Sequence, residues 1–361
     1  MSIEIISIYI ISINILVYAA LIILWIFNFK PNQGELNSYP KISILIACRN
    51  EAKNIASLIE SLLKIDYPKE KLEIIIGNDA SQDNTLSLLK TYKGITLYDI
   101  TTSKSKLKGK MNVLAQLVEK SNGEYLFFTD ADMTFNPNIL KSLISNWDEK
   151  TGMAVGFSKV TGTNPFATLQ NIDYTIGQGI MKVLTDISKP QYVSGNNMMV
   201  SRKAYDATGG YEKMDFHLTE DVLLMKEIIR QGFQVKSVFN SNSVAYTKPA
   251  DSLSALIHQR KRWMQGFSLM PISTYIISFS KLLFIPAIIY LLFSYPIFAL
   301  LLYSLKLFST ATFIILINKK IKQKQNIIPL IFYDLYELVV YFPALILHFI
   351  SKTNTWKGRH Y

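Results

Sequence analysis

One cysteine, Cys48, and four histidines are all that 361 residues offer to a soft or borderline metal. A lone cysteine excludes an intrachain disulfide and a thiolate metal centre. His217, His258, His348 and His360 are too scattered for a zinc motif. There is no GxxxxGK[ST] loop and no GxGxxG, so neither a P-loop nucleotidase nor a dinucleotide enzyme is supported. Any phosphate charge must then be met by a metal and by Lys or Arg. Internal repeats and low-complexity tracts are also missing. The net charge of +11 invites a nucleic-acid partner, but zinc-finger spacing and an Arg-rich aromatic surface motif are both lacking. Anionic lipid headgroups and nucleotide phosphates explain the charge more simply.

What is present in excess is apolar sequence, at the two ends. The chain is 49% hydrophobic with a mean hydropathy of +0.20. Residues 5–29 carry no charge and are long enough to span a bilayer at ~1.5 Å per residue. No Lys or Arg precedes this run and no small-residue cleavage site follows it, which favours a retained anchor over a signal peptide. Residues 282–305 are uncharged, and 307–318 continue them after Lys306. A third stretch, 327–350, is interrupted by Asp334 and Glu337. Lys30 and the cluster Lys319, Lys320, Lys322 and Lys324 flank the runs. Positive-inside logic places both flanks in the cytoplasm, with residues 31–281 cytosolic and 282–318 crossing out and back. For 327–350 two readings stay open. If it spans, the basic tail Lys352, Lys357 and Arg359 ends outside, against the rule; with its two acids it also fits an interfacial position.

The segment between the runs reads as a linker, 31–40, and then alternating elements. Residues 42–47 form a near-continuous apolar run, as in a buried parallel strand. Residues 51–65 carry Ile55, Leu58, Ile59, Leu62 and Leu63 at helical spacing. Further strands are expected at 72–76, 95–100 and 125–129, and helices at 84–92 and 111–120. Such alternation implies an α/β fold with a mainly parallel sheet. Ligands in these sheets sit at the carboxyl ends of strands. Arg49 and Glu51, Asp79, and Asp130 with Asp132 all follow strand ends, so they should converge on one crevice.

Three constellations carry chemistry. Asp130 and Asp132 could share one hard cation through oxygen ligands, Mg²⁺ or Mn²⁺ bridging a diphosphate; the plain alternative is an acidic loop after a strand. Asp221 follows Thr219, a good N-cap, and lies in the first turn of a helix expected from about Glu220 to Gln231, ahead of Gly232. The dipole there favours the ionised carboxylate, which suits a general base, although Asp at this place alone is more often a helix cap. Gln259, Arg262 and Trp263 precede the membrane runs. A permanently charged Arg can clamp a departing diphosphate and an indole can stack on a sugar, while an interfacial anchor belt explains the same residues more plainly. Of the lysines at 104, 106, 108 and 110, only Lys110, beside Gly109, has a defined position.

The order Ala47-Cys48-Arg49-Asn50-Glu51, Asn78-Asp79-Ala80, Gly109-Lys110, Asp130-Ala131-Asp132, Gly195-Asn196-Asn197, Thr219-Glu220-Asp221 and Gln259-x-x-Arg262-Trp263 resembles glycosyltransferase family 2 over about residues 41–267. The resemblance implies a GT-A fold and inverting transfer from a nucleotide sugar. It implies donor contacts from Ala47, Arg49, Glu51, Asp79, Lys110 and Asp130, and a metal at Asp130 and Asp132. Asp221 would be the base, and Glu220, Gln259, Arg262 and Trp263 would hold acceptor and diphosphate. One departure is visible: the family usually has two adjacent acids and a Gly where this chain has Asn78, Asp79 and Ala80. The tail, residues 355–361, resembles the end of membrane-bound members that glycosylate lipids such as ceramides, hopanoids and carotenoids.

Four segments are therefore expected: an anchor at 1–30, a linker at 31–40, a cytosolic GT-A domain at 41–270, and a membrane region at 271–361 with two or three apolar helices. The expected activity is a multi-pass cytoplasmic-membrane glycosyltransferase that moves a hexose from a UDP-sugar, less readily a GDP-sugar, to a lipid in the bilayer. Its rivals are a processive polysaccharide synthase and a non-catalytic membrane scaffold.

Overall fold

The computed structural model describes every residue except Met1, Asn32, Gln33, Glu35, Asn37, Ser105, Asn146, Lys352, Asn354 and Tyr361. The expected linker and basic tail thus lie partly outside the described residues, as do the side chains of Thr355, Trp356 and His360 in the lipid-enzyme-like tail.

In chain order the elements begin with α1 (Ile3–Asn28), β1 (Ile42–Cys48), α2 (Ile55–Leu63), β2 (Leu72–Asn78), α3 (Thr85–Leu89), β3 (Thr96–Asp99) and α4 (Gly109–Glu119). There follow β4 (Tyr125–Asp130), β5 (Met133–Phe135), α5 (Ile139–Ile144), β6 (Thr151–Val155), β7 (Phe157–Val160), α6 (Pro165–Asp186), β8 (Asn197–Ser201) and α7 (Arg202–Ala207). Next are α8 (Glu220–Arg230), β9 (Gln234–Ser237), β10 (Val244–Thr247), α9 (Leu253–Met264), α10 (Ile272–Ser294), α11 (Pro296–Ile321) and α12 (Tyr333–Ile350), with a final hairpin β11 (Thr355–Trp356) and β12 (Arg359–His360). The chain forms two compact units. One comprises residues 30–159 and 184–248, the other residues 1–29, 160–183 and 249–361.

The first unit is built on a seven-stranded sheet of order β3-β2-β1-β4-β8-β6-β9. The expected mainly parallel α/β sheet is there: β1 pairs parallel with β2 and β4, β2 with β3, and β6 with β9. The exception is β8, antiparallel to both β4 and β6. All seven residues of β1 are buried, which is why its sequence is apolar without alternation. Ile42, Ile44 and Ile46 on one face meet Ile55, Leu58, Ile59 and Leu62 of α2 in the core. At β1 the order reverses: β2 and β3 step away on one side, while β4 lies on the other. Such a reversal opens a crevice at the carboxyl ends of the flanking strands. Gly77, near the end of β2, sits under α4; a Cβ there would lie 2.4 Å from Val113.

The second unit is helical. α1, α10, α11 and the stretch Ile328–Ile350 containing α12 are each long and apolar enough to cross a membrane. The inner faces of α1, α10 and α11 pack Ile11, Phe284, Ala287, Ile288, Leu291 and Ala299 together. The outer faces of the four stretches leave Leu16, Phe27, Phe293, Leu301, Phe308 and Phe349 exposed, far more apolar surface than water tolerates. α10 starts at Ile272, ahead of the uncharged run, because the charge that delimits that run is neutralised: Lys281 Nζ lies 2.9 Å from Glu337 Oε1. Lys306 of α11 pairs in the same way with Asp334. The two acids that interrupt 327–350 are therefore buried partners of lysines on neighbouring helices.

Candidate active site

Register places the expected donor residues side by side. Asp130, the last residue of β4, is opposite Ala47 of β1, and Cys48 at the end of β1 is opposite Asn78 of β2. The backbone leaving β1 and β2 is then tied together. Asp79 N donates to Cys48 O at 2.7 Å, and Arg49 Nη1 donates to Asp79 O at 2.6 Å and Ala80 O at 2.7 Å. Arg49 is buried and part of its guanidinium is thus spent on loop geometry. Glu51, also buried, accepts from Asn54 Nδ2 at 2.7 Å, and its N–H donates to Thr85 Oγ1. Asn50 and Ala80, in the two loops, adopt φ of 52° and 46°. A left-handed backbone at Ala80 is one that favours Gly. Asn78 donates to Asp99 Oδ1 at 2.7 Å while its buried Oδ1 lacks a partner among the described residues.

Lys110, in the first turn of α4, bridges two carboxylates, at 2.7 Å from Asp130 Oδ1 and 2.8 Å from Glu220 Oε1. Burial alone would lower its pKa; Asp130 and Glu220 hold it above the usual lysine range. Asp132 sits two residues beyond Asp130 and accepts from Thr247 Oγ1 at 3.4 Å. Both aspartates are only partly buried. Among the described residues no three His, Cys, Asp or Glu side chains gather as a complete metal cage. Two hard carboxylates at a crevice fit Mg²⁺ or Mn²⁺, which take one or two protein oxygens and complete their shell with phosphate and water.

α8 begins at Glu220, with Thr219 ahead of it as expected, but Thr219 makes no side-chain cap. Its hydroxyl instead meets His217 Nδ1 at 2.8 Å. Asp221 Oδ2 accepts from Gly195 N at 2.8 Å and Oδ1 from Val222 N at 2.8 Å. The expectation of a low, dipole-stabilised carboxylate needs correction. Burial and the neighbouring Glu220 charge push Asp221 up to about 6, against the lowering effect of Lys110 and the two backbone donors. Gly195 is required by contact: a Cβ would lie 2.8 Å from Asp221 Cβ. A second strut links this loop to β4, since Thr129 Oγ1 donates to Asn196 O at 2.7 Å. Thr129 and Gly195 were not among the expected site residues; only the motif around Gly195 signalled one of them. Tyr211, fully buried with a hydroxyl that has no partner among the described residues, has its pKa raised well above normal by burial and by Glu220.

Gln259, Arg262 and Trp263 lie on α9, in the helical unit. Gln259 Oε1 accepts from Arg260 Nη1 at 2.5 Å. The Arg260 guanidinium carbon lies 4.1 Å from the Trp263 ring centroid. Trp263 is 37% exposed, with Tyr174 edge-on at 5.5 Å.

Residues 5–361 match glycosyl transferase family 21. The chain belongs to that family. The match is to family 21, where the motifs had suggested family 2. Relatives include a poly-β-1,6-N-acetyl-D-glucosamine synthase of Staphylococcus aureus, 28% identical over 244 residues. A second is the probable glycosyltransferase YdaM of Bacillus subtilis, 27% identical over 256 residues. Each alignment covers 66% of this chain and 57% of the relative, so the chain spans little more than half of either. Among solved structures, a mannosyltransferase from Pyrobaculum calidifontis in complex with GDP-Man and Mn²⁺ aligns with a TM-score of 0.62 at 16% identity, over 97% of this chain and 100% of that one. It shares the fold.

Proposed function

We propose that this family 21 enzyme transfers a sugar with inversion from a UDP-sugar, or less readily a GDP-sugar, to a hydroxyl of a membrane lipid. The observation that carries the reading is Asp221: a carboxylate poised near neutrality, held by Gly195 N–H and coupled through Glu220 and Lys110 to Asp130. A base works best with a pKa near the working pH. Asp221 takes the proton of the acceptor hydroxyl as its oxygen bonds to the anomeric carbon. The bond from that carbon to the diphosphate oxygen breaks on the opposite side, and the electron pair leaves with the nucleotide. Lys110 supplies fixed positive charge to the diphosphate. A divalent metal held by Asp130 and Asp132 would neutralise the same group. Arg49, Glu51 and Asp79, around Ala47, would shape the nucleoside site. Gln259, Arg262 and Trp263, with Glu220, are proposed to engage acceptor and diphosphate.

The lipid acceptor is supported by the four apolar helices, which lie within the family match except for the first two residues of α1. The charge bias of the lysines at 30 and 319–324 supports a catalytic unit on the cytosolic side of the cell membrane. Similarity to the poly-N-acetylglucosamine synthase supports a second reading, a processive polysaccharide synthase. Membranes containing the enzyme, incubated with labelled UDP- and GDP-sugars, separate the two. A lipid-extractable product carrying one sugar supports the proposal; a high-mass polymer replaces it with the second reading. A label that never leaves the nucleotide, across the panel, defeats both.

A further inference from the structure

Asp173, on α6, is a buried carboxylate to which no part of the transfer chemistry has been assigned. Arg260 stands between Gln259 and Trp263 in sequence but outside the motif that they define. The two meet through two donors on one oxygen: Arg260 Nε and Nη2 lie 3.1 and 2.7 Å from Asp173 Oδ2. Tyr333 and Tyr341 of α12 donate to the same carboxylate at 3.1 Å and 2.9–3.0 Å. Arg260 is 0% exposed.

Every part of that guanidinium is assigned. Its Nε/Nη2 edge is fixed by Asp173, its Nη1 holds the Gln259 amide oxygen, and its face covers the Trp263 indole. A planar, five-donor group is needed to do all three; an ammonium cannot. Gln259 and Trp263, four residues apart, share one face of α9, and Arg260 fixes the orientation of both side chains. Burying such a pair gains little stability over apolar side chains of the same volume, so stability alone does not explain it.

We infer that Asp173 and Arg260 are positioning residues that orient Gln259 and Trp263 for transfer, a role that rests on the assignment of Gln259 and Trp263 to acceptor and diphosphate. Neither touches a reacting atom. The tyrosines of α12 fix Asp173, Asp173 fixes the guanidinium, and the guanidinium fixes the two motif side chains.

The test uses the full chain in membranes, with Arg260→Lys, the doubly neutral Asp173→Asn/Arg260→Gln, Gln259→Ala and Trp263→Ala. Sugar transfer is measured with labelled UDP-glucose and UDP-N-acetylglucosamine, nucleotide affinity with UDP, and folding by thermal melting in detergent. Arg260→Lys and the double variant are expected to melt within a few degrees of wild type and to bind UDP within about twofold. Their kcat should fall by at least tenfold, toward that of Gln259→Ala or Trp263→Ala. The double variant leaves no unpaired buried charge, so it guards against simple unfolding. Wild-type turnover in the folded pair variants overturns the inference alone, provided Gln259→Ala and Trp263→Ala are impaired. A loss that merely tracks the amount of folded protein in both pair variants also overturns it. Wild-type turnover in Gln259→Ala and Trp263→Ala removes the underlying assignment, and the inference with it.

Discussion

The Gly195 amide points at Asp221 Oδ2 from 2.8 Å, and no larger residue fits where Gly195 stands. That contact fixes one carboxylate oxygen and leaves Asp221 at about 6, set by burial and by Glu220. Two pH effects follow, of different origin. Transfer needs the ionised form, so the rate should fall about tenfold per unit as pH drops below about 6. The folded value lies above the ordinary 3.8, so between those values the native state keeps a proton that the unfolded chain has released. Stability therefore falls as pH rises through that window. Asp221→Asn should abolish transfer by about 10²–10⁴-fold, bind UDP normally, and be more stable than wild type at pH 7–8 by about 1–3 kcal/mol. Turnover profiles from pH 5 to 8 and melting curves check both; a flat profile rules Asp221 out as the base.

Gly195→Ala should lower transfer by about 10–100-fold, since a misplacement near 1 Å is enough for such a loss. The new Cβ would lie 2.9 Å from Asp221 Oδ2 and push the carboxylate off its amide. UDP affinity, which depends on the β1, β2 and β4 ends, should be unchanged. A full-rate Gly195→Ala enzyme would show that Asp221 need not be held there.

The strand ends were legible because their causes are local. Residues 42–48 are a near-continuous apolar run and 125–128 a continuous one, each stopping at polar residues, and a parallel sheet brings such stops together. The insertion of β8 between β4 and β6 was not legible, because its pairing partners are remote in sequence. Asp221 was found by its motif, yet its proton affinity was misjudged: the helix start suggested a low value, and tertiary burial set a high one. The same distinction separates Arg262, marked by a motif, from Arg260, whose importance depends on Asp173 at 87 positions' distance. Lys281, Asp334 and Glu337 were visible as interruptions of apolar runs; that they neutralise one another across helices was not.

Ala80 holds φ of 46° in the loop after β2, a conformation that costs an L-residue about 1–2 kcal/mol. Ala80→Gly should remove that strain and lose part of the gain to the freer unfolded chain, for a net stabilisation of about 0.5–1 kcal/mol. Thermal melting should rise by ~1–3 °C with transfer unchanged. A lower melting point would mean that the loop is not strained at this position.

The buried pairs of the helical unit govern whether α12 is accommodated among its neighbours. Asp334 and Glu337 would each oppose insertion at a helix centre by about 2.5–3.5 kcal/mol, and the lysines of α10 and α11 offset that penalty. Removing one partner strands a buried charge, so Lys281→Met should destabilise the protein by about 3–5 kcal/mol. Adding Glu337→Gln should restore most of the loss, because the double variant buries no unpaired charge; Tyr333, which donates to Glu337 at 3.2 Å, still finds an acceptor in the amide. Melting in detergent and the yield of membrane-inserted protein read the effect. Equal damage in the single and double variants would show that the pair does not operate as a unit, and that Lys281 serves the helices by its packing alone.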